Sequence, residues 1–453
     1  MWMSRRTVLA GLLTAGAGSC PALAGAIVEL RAGPIPTLPI FSTAGLWGFN
    51  GTVPGPSLHA RRGEEFRVRV YNEIDEPIGI HWHGVRVPNR MDGTPLTQAP
   101  VEPGSVFDYV FVPPDAGTFW YHTTWNSSVQ RERGLYGILI VDEDHADEAT
   151  HDLPMIIDDW KLNATGALDE ASFHERSAAS GQGRIGNLLT VNGAARPMLF
   201  APANKHLRLR MLNAANARFL NLKLTGAAAS VIANDGQPVR AAKPSQSVAL
   251  LPGQRTDLLV PAGPSPLSLA LEEPEETIEL AEIVREGALL PEAPPPKPLK
   301  SNPLPDYFNY AALHDVTFTI EGGAGSTLQQ AYHEGAPRRM SELAERGLFW
   351  AVNGNAGLAS EPLFRVQPGV TVAITVDNIT RVSHVLHIHG HAARLVEVAG
   401  RAVTEPVWRD TFLVRPLEPA KIMFIADNPG RWLIASAVAE HFDSGLQAWF
   451  EVR

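Results

Sequence analysis

Apolar and polar residues alternate along this chain in short runs, bounded by glycine, proline and asparagine rather than by helix caps. A similar block recurs three times at wide spacing, the mark of a repeated structural unit. The first copy runs from Phe49-Asn50-Gly51 and Pro54 to Phe66 through Asn72. The second runs from Val191-Asn192-Gly193 to Leu207 through Asn213, and the third from Val352-Asn353-Gly354 to Val372 through Asn378. In each, Asn-Gly supplies the positive φ of a tight turn and leads to a period-two run that ends in asparagine. Such a run buries one face of a strand. The pattern predicts an all-β protein of three tandem Greek-key β-sandwiches over residues 25–144, 145–290 and 306–453. Pro291 to Pro305 reads as an extended linker and Ser341 to Arg346 as a short surface helix, neither with recognisable chemistry.

The first residues follow a different pattern. Arg5-Arg6 stands directly before an apolar, Gly/Ala-rich run, and Ala22-Leu23-Ala24 offers a small-x-small cleavage site. This reads as a twin-arginine signal peptide over 1–24, which implies export to the periplasm. Cys20 precedes the cleavage site, and Ala17 fits a lipobox poorly. The mature chain would then hold no cysteine, so it could form neither a disulfide nor a thiolate metal site. Loss of the two arginines takes the formal charge from −10 to −12, an acidic balance that argues against nucleic acid as a partner. No second apolar stretch is long enough to span a membrane.

The candidate chemistry lies in histidines near the two ends. His81-Trp82-His83-Gly84 sets two imidazoles two residues apart on a predicted strand, so both face one side. His387-Ile388-His389-Gly390 repeats that arrangement, and Phe119-Trp120-Tyr121-His122 adds a fifth imidazole. Imidazole is the usual protein ligand for copper and zinc, and same-face pairs let two rigid strands converge on one ion.

With these motifs, His384 through His391, and Trp432 through Leu446, the chain resembles the three-domain multicopper oxidases over essentially its whole mature length. The resemblance implies cupredoxin-like domains, a trinuclear copper cluster between the first and last of them, and a blue copper in the last. It implies oxidation of phenols, metal ions or similar reductants with reduction of dioxygen to water. It gives His81 and His387 the type 2 copper positions, His83, His122 and His389 half of the type 3 set, and Asp92 the place of an acidic residue near the oxygen site. His384 and His441 match two blue-copper ligands, with Leu446 in register behind them.

The pattern breaks where the family has His-Cys-His, because this chain reads Ala435-Ser436-Ala437. A blue site needs the thiolate, and the hard, weakly acidic hydroxyl of Ser436 does not replace it. Thr124 stands where the family has another cluster histidine, and Phe442 where it has a proton-relaying carboxylate. No residue is therefore assigned as catalytic.

Two readings of the five-histidine group stay open. The imidazoles are either inherited interface residues, neutral and hydrogen-bonded, or ligands of a single copper or zinc, with no other cofactor. For His384 and His441 the buried neutral reading is preferred. His59, His145, His151, His174, His206, His314 and His333 match no ligand position and are expected at the surface or in loops. Trp82, Trp120, Trp125 and Trp432 are expected in packing. Three functions follow. The first is a periplasmic scaffold or binding protein, similar in architecture to the copper-poor, Tat-exported cell-division branch of the superfamily, with an unidentified periplasmic protein as partner. The second is a copper-binding metalloprotein or oxidoreductase that uses the residual cluster and a small reductant. The third, an ordinary laccase-like oxidase, is contradicted by Ser436.

Overall fold

The computed structural model describes residues 27–36, 45–143, 147–288 and 294–453. The expected signal peptide at 1–24, with Cys20, lies outside the described residues, as does His145. What is described is all-β: three tandem cupredoxin-like sandwiches with a few helices of five or six residues between strands.

The repeated asparagines explain why the three blocks fold alike. Asn50, Asn192 and Asn353 all adopt positive φ (54°, 51° and 47°), as do the glycines after them. Each amide also bridges to the backbone of a neighbouring strand. Asn50 accepts from the Arg31 N–H and donates to the Glu29 carbonyl. Asn192 does the same with Ile156 and Pro154, and Asn353 with Thr319 and Thr317. The asparagine ending each run is buried and ties off a crossover: Asn72 donates to Glu76 and Val101, Asn213 to Arg218 and Leu250, and Asn378 to Val382 and Val414. Buried loop carbonyls need such partners, and a short amide supplies them without a strand.

In the first sandwich, one four-stranded sheet holds Phe66–Asn72 at its centre and packs on another whose order runs Leu58–Arg61, Tyr136–Asp142, Gly117–Thr123, Ile80–His83. In the third, Val370–Asn378 lies between Leu313–Gly322 and Ala420–Ala426. It faces a five-stranded sheet in which His384–Ile388 sits between Gly430–Ser436 and Thr411–Val414. Each sandwich has its own apolar core. Trp82 and Trp432 are buried in the first and third cores, and Trp120 packs where the first sandwich meets the second; Trp125 is only partly buried.

Buried polar contacts join the sandwiches, and one group of them centres on Asn216 and Asp443. The Asn216 amide of the second sandwich donates to the Ser128 carbonyl of the first and to Glu440 Oε1 of the third. Asp443 of the third accepts from the Ser127 and Ser128 N–H groups that begin the helix Ser127–Glu132. The proline-rich segment after 293 is also more than a spacer. Asn302 is buried, accepts from the Ala116 N–H and donates toward the Ala116 and Gly236 carbonyls and Gln237 Oε1. It thereby staples the first sandwich to the second. Replacing Asn302 by alanine leaves several of these groups unpaired, each costing about 1–3 kcal/mol. The variant should melt several degrees lower in a thermal scan and be cut faster by protease near 294–305. An unchanged melting temperature would show that the staple carries no stability.

Candidate metal centre

The strand Ile80–His83 presents His81 and His83, and its register with Gly117–Thr123 sets His81 opposite His122 and His83 opposite Trp120. From the third sandwich, His387 on His384–Ile388 is flanked by Thr411 on one side and Ala435 on the other. His389 follows just past the strand end, where Gly390 has φ 65°. A Cβ at Gly390 would lie 2.3 Å from the Trp432 ring, so only glycine allows this exit. Second-sandwich Gly253, at φ 81°, closes the far side against His83. The structure thus brings His81, His83, His122, His387 and His389 around one buried cavity. Thr124, Ser127, Arg131, Ser436, Ala437 and Phe442 complete its wall.

Hydrogen-bond partners fix the tautomer of every one of these rings. His81 Nδ1 lies 3.0 Å from the Asp92 carbonyl, and His387 Nδ1 lies 3.0 Å from the Asp410 carbonyl, so both Nδ1 atoms donate. His122 Nδ1 donates to the Thr123 carbonyl, and His389 Nδ1 donates to the Asp92 carboxylate at 3.1 Å. Thr411 spends its hydroxyl hydrogen on Asp410 Oδ1, so His83 Nε2 must donate to Thr411 Oγ1 and Asp410, leaving its Nδ1 bare. In the neutral tautomers that these partners select, the second nitrogen of each ring is a bare acceptor. Two pairs of these nitrogens face each other, His81 Nε2 with His387 Nε2 at 3.1 Å and His83 Nδ1 with His122 Nε2 at 3.3 Å.

Two lone pairs at such distances repel unless a cation lies between them. Ligands about 2.0–2.1 Å from one ion sit about 3 Å apart. An all-imidazole set suits copper or zinc and not the hard ions that need oxygen. Electrostatics favour the same state. Burial drives His83 and His122 well below the ordinary imidazole range, lowers His387, and takes His389 to about 3. Burial alone would raise Asp92, yet His389 and His81 hold it below the usual carboxylate range. Likewise burial opposes ionisation of Asp410, and the Arg255 guanidinium overrides it. Asp410, Thr411 and Arg255 were not legible as site residues: they lie outside the histidine motifs and on different sandwiches.

The remaining positions part company with this group. His384 and His441 are fully buried, with Nδ1 atoms 3.3 Å apart beside the Trp350 ring. His441 Nε2 donates to the Gly181 carbonyl and His384 Nε2 bonds Thr380 Oγ1. Ser436 lies on the strand Gly430–Ser436, and its hydroxyl accepts from the Val438 N–H. Ala435 and Ala437 offer no donor side chain, and the Thr124 hydroxyl is turned to the Gly93 carbonyl. Of the histidines expected at the surface or in loops, His174 is exposed. His59, His151, His206, His314 and His333 instead lie half-buried on strands, where the ring's apolar body packs and its nitrogens stay within reach of partners.

Three cupredoxin-like sandwiches with imidazoles converging between the first and third define the architecture of a copper oxidase. The multicopper oxidase family matches residues 37–146 and again 326–453. A crystal structure of a multi-copper oxidase from Pseudomonas thermotolerans is 32% identical, with a TM-score of 0.81, over 94% of this chain and 99% of that one. The multi-copper oxidase of Pseudomonas parafulva is 30% identical with a TM-score of 0.79, over 94% and 100%. The multicopper oxidase MmcO of Mycobacterium tuberculosis is 29% identical over 87% of this chain and 80% of its own length. The chain belongs to the multicopper oxidase family. No helix among the described residues is long and apolar enough to cross a membrane.

The blue-site position yields a direct test. The two histidines are in place and the thiolate is what is missing, so Ser436→Cys loaded with copper should gain an intense visible absorption that the parent lacks. A colourless Ser436→Cys protein with copper bound would mean that His384 and His441 no longer point to a common ion.

Proposed function

We propose that the protein is an exported, copper-binding member of the family that works from one mononuclear histidine site between the first and third sandwiches, without the family's blue copper. The observation that carries this reading is the pair of opposed imidazole contacts, nitrogen to nitrogen at 3.1 and 3.3 Å, on rings whose other nitrogens already face acceptors or Thr411. Residues inherited only for packing would relax to share a hydrogen, whereas these rings are held apart from that solution by Asp92, Asp410 and backbone carbonyls. His81 and His387 would hold the ion, with His83, His122 and His389 in reach. Copper would supply a single redox-active, Lewis-acidic centre there. The protein's part is to keep the imidazoles neutral, oriented and out of bulk water.

Ser436, Ala435 and Ala437 break the route by which the family passes electrons from the surface to its cluster, so a small reductant that enters the cavity, or a periplasmic protein, would have to act there directly. Export rests on Arg5-Arg6, the apolar Gly/Ala-rich run after it and the Ala22-Leu23-Ala24 cleavage pattern. The scaffold reading is favoured by the same losses at Thr124, Ala435, Ser436 and Ala437, and needs no metal.

Metal content decides between them. After maturation in the periplasm, exposure to copper and dialysis, the parent should hold about one copper per chain with no blue band, and His81→Ala/His387→Ala about none. Near-zero copper and zinc in the parent would overturn the metalloprotein reading and leave the scaffold. Bound copper should also resist acid. A proton competes for the same lone pair as the metal, and a lowered pKa moves that competition to lower pH. Because His83, His387 and His389 are all lowered by burial, copper should stay bound at pH 5, where an exposed histidine is largely protonated. Dialysis at pH 7 and pH 5 followed by elemental analysis checks this, and release complete by pH 6 would contradict it.

A further inference from the structure

Arg131 differs from the other buried arginines near the sandwich interfaces. Arg208, Arg210, Arg218 and Arg255 each face a carboxylate within 2.6–2.8 Å. Arg131, only 3% exposed, lies over the Trp120 ring at 5.2 Å and hydrogen-bonds carbonyls only: Nη1 lies 3.2 Å from Ala437 O, and Nη2 lies 3.3 Å from Ala215 O and 3.5 Å from Ala214 O. Its Nε–H has no partner. Glu440, Asp158 and Asp443 act on it from beyond direct contact, and burial pushes each of these carboxyls toward its neutral form. This guanidinium lines the histidine cavity beside Ala437, one of the vacated ligand positions.

A buried cation with an unspent donor leaves a deficit of negative charge, and the deficit grows when the histidines take up a metal cation. Asp410 is already matched by Arg255, and Asp92 stands behind His81 and His389 rather than in the cavity wall, which holds no carboxylate of its own. The cavity offers about 20 Å³ in the measure by which one water needs roughly 10–15 Å³, so its occupant is small.

We propose that the cavity is a paired site, in which an oxyanion no larger than formate sits between the histidine-held metal and the Arg131 guanidinium. This rests on the metal-binding reading above. Arg131 takes the place of positive charge and ligand lost from this half of the cavity and selects an anionic second ligand.

Binding of the two partners must be reciprocal: an anion that sits on both raises metal affinity by the factor by which the metal raises anion affinity. The test is copper retention by the full mature chain against a chelator, with sodium formate or with sodium chloride at equal ionic strength. Formate should strengthen retention roughly tenfold in the parent. Arg131→Gln should abolish that gain while still binding copper, and Arg131→Lys should keep part of it. Normal copper binding with no formate effect, or an undiminished effect in Arg131→Gln, overturns this inference alone. Absence of copper from the parent overturns the metal-binding reading and this inference with it. If Arg131→Gln does not fold, crystals of the copper-loaded parent grown with formate decide the matter. Formate on the Arg131 Nε–H supports the pairing, and formate absent there, or an adventitious ion only, overturns it.

Discussion

Two buried aspartates exchange partners across the interface on which the site is built. Asp92 of the first sandwich accepts from His81 beside it and from His389 of the third. Asp410 of the third accepts from His387 beside it and from His83 of the first. This reciprocal exchange fixes both the register of the two sandwiches and the tautomers of four imidazoles. Arg255 extends it to the second sandwich, whose bidentate hold on Asp410, at 2.9 and 2.6 Å, keeps that carboxylate ionised in a dry interior. Unpaired, either carboxylate would be a costly buried charge; paired in this way, it orients its ligands.

The rest of the interior follows from that constraint. Burial lowers the pKa of His83, His122, His387 and His389, and it outweighs the carbonyl and carboxylate acceptors on their N–H groups, which pull the other way. The price is lone-pair repulsion at the centre, which a metal relieves. Chemistry has been removed one sandwich edge at a time. The strand that should deliver a thiolate and two more imidazoles delivers Ser436 and two alanines instead, yet it keeps its pairing with both neighbours. Absence of the thiolate and retention of the histidine group are therefore compatible in one fold, because strand pairing is a backbone property and the ligands are side chains.

The same separation governs the cavity wall. Phe442 and Ala437 make one side apolar and donor-poor, whereas Arg131 keeps a charge there. A family fold thus presents a differently lined cavity, through a few side chains on its strands.

Much of this was set by the sequence alone. The three Asn-Gly turns and the runs that follow them specify the sandwiches, because positive φ and period-two burial are local demands. His81, His83, His387 and His389 are visible as same-face pairs for the same reason, and the loss of the thiolate is visible in a single residue. Tertiary structure decided what local pattern cannot carry. Asp410 and Arg255 lie 155 residues apart in the chain and meet only because the second and third sandwiches dock. Nothing local marks Arg131, and only the packing shows its Nε–H without a hydrogen-bond partner. The linker residue Asn302 looks like solvent-facing spacer until the groups it satisfies, in two other sandwiches, are placed around it. Hydrogen-bond satisfaction in a buried interface depends on groups distant in sequence, so it is settled by the fold as a whole.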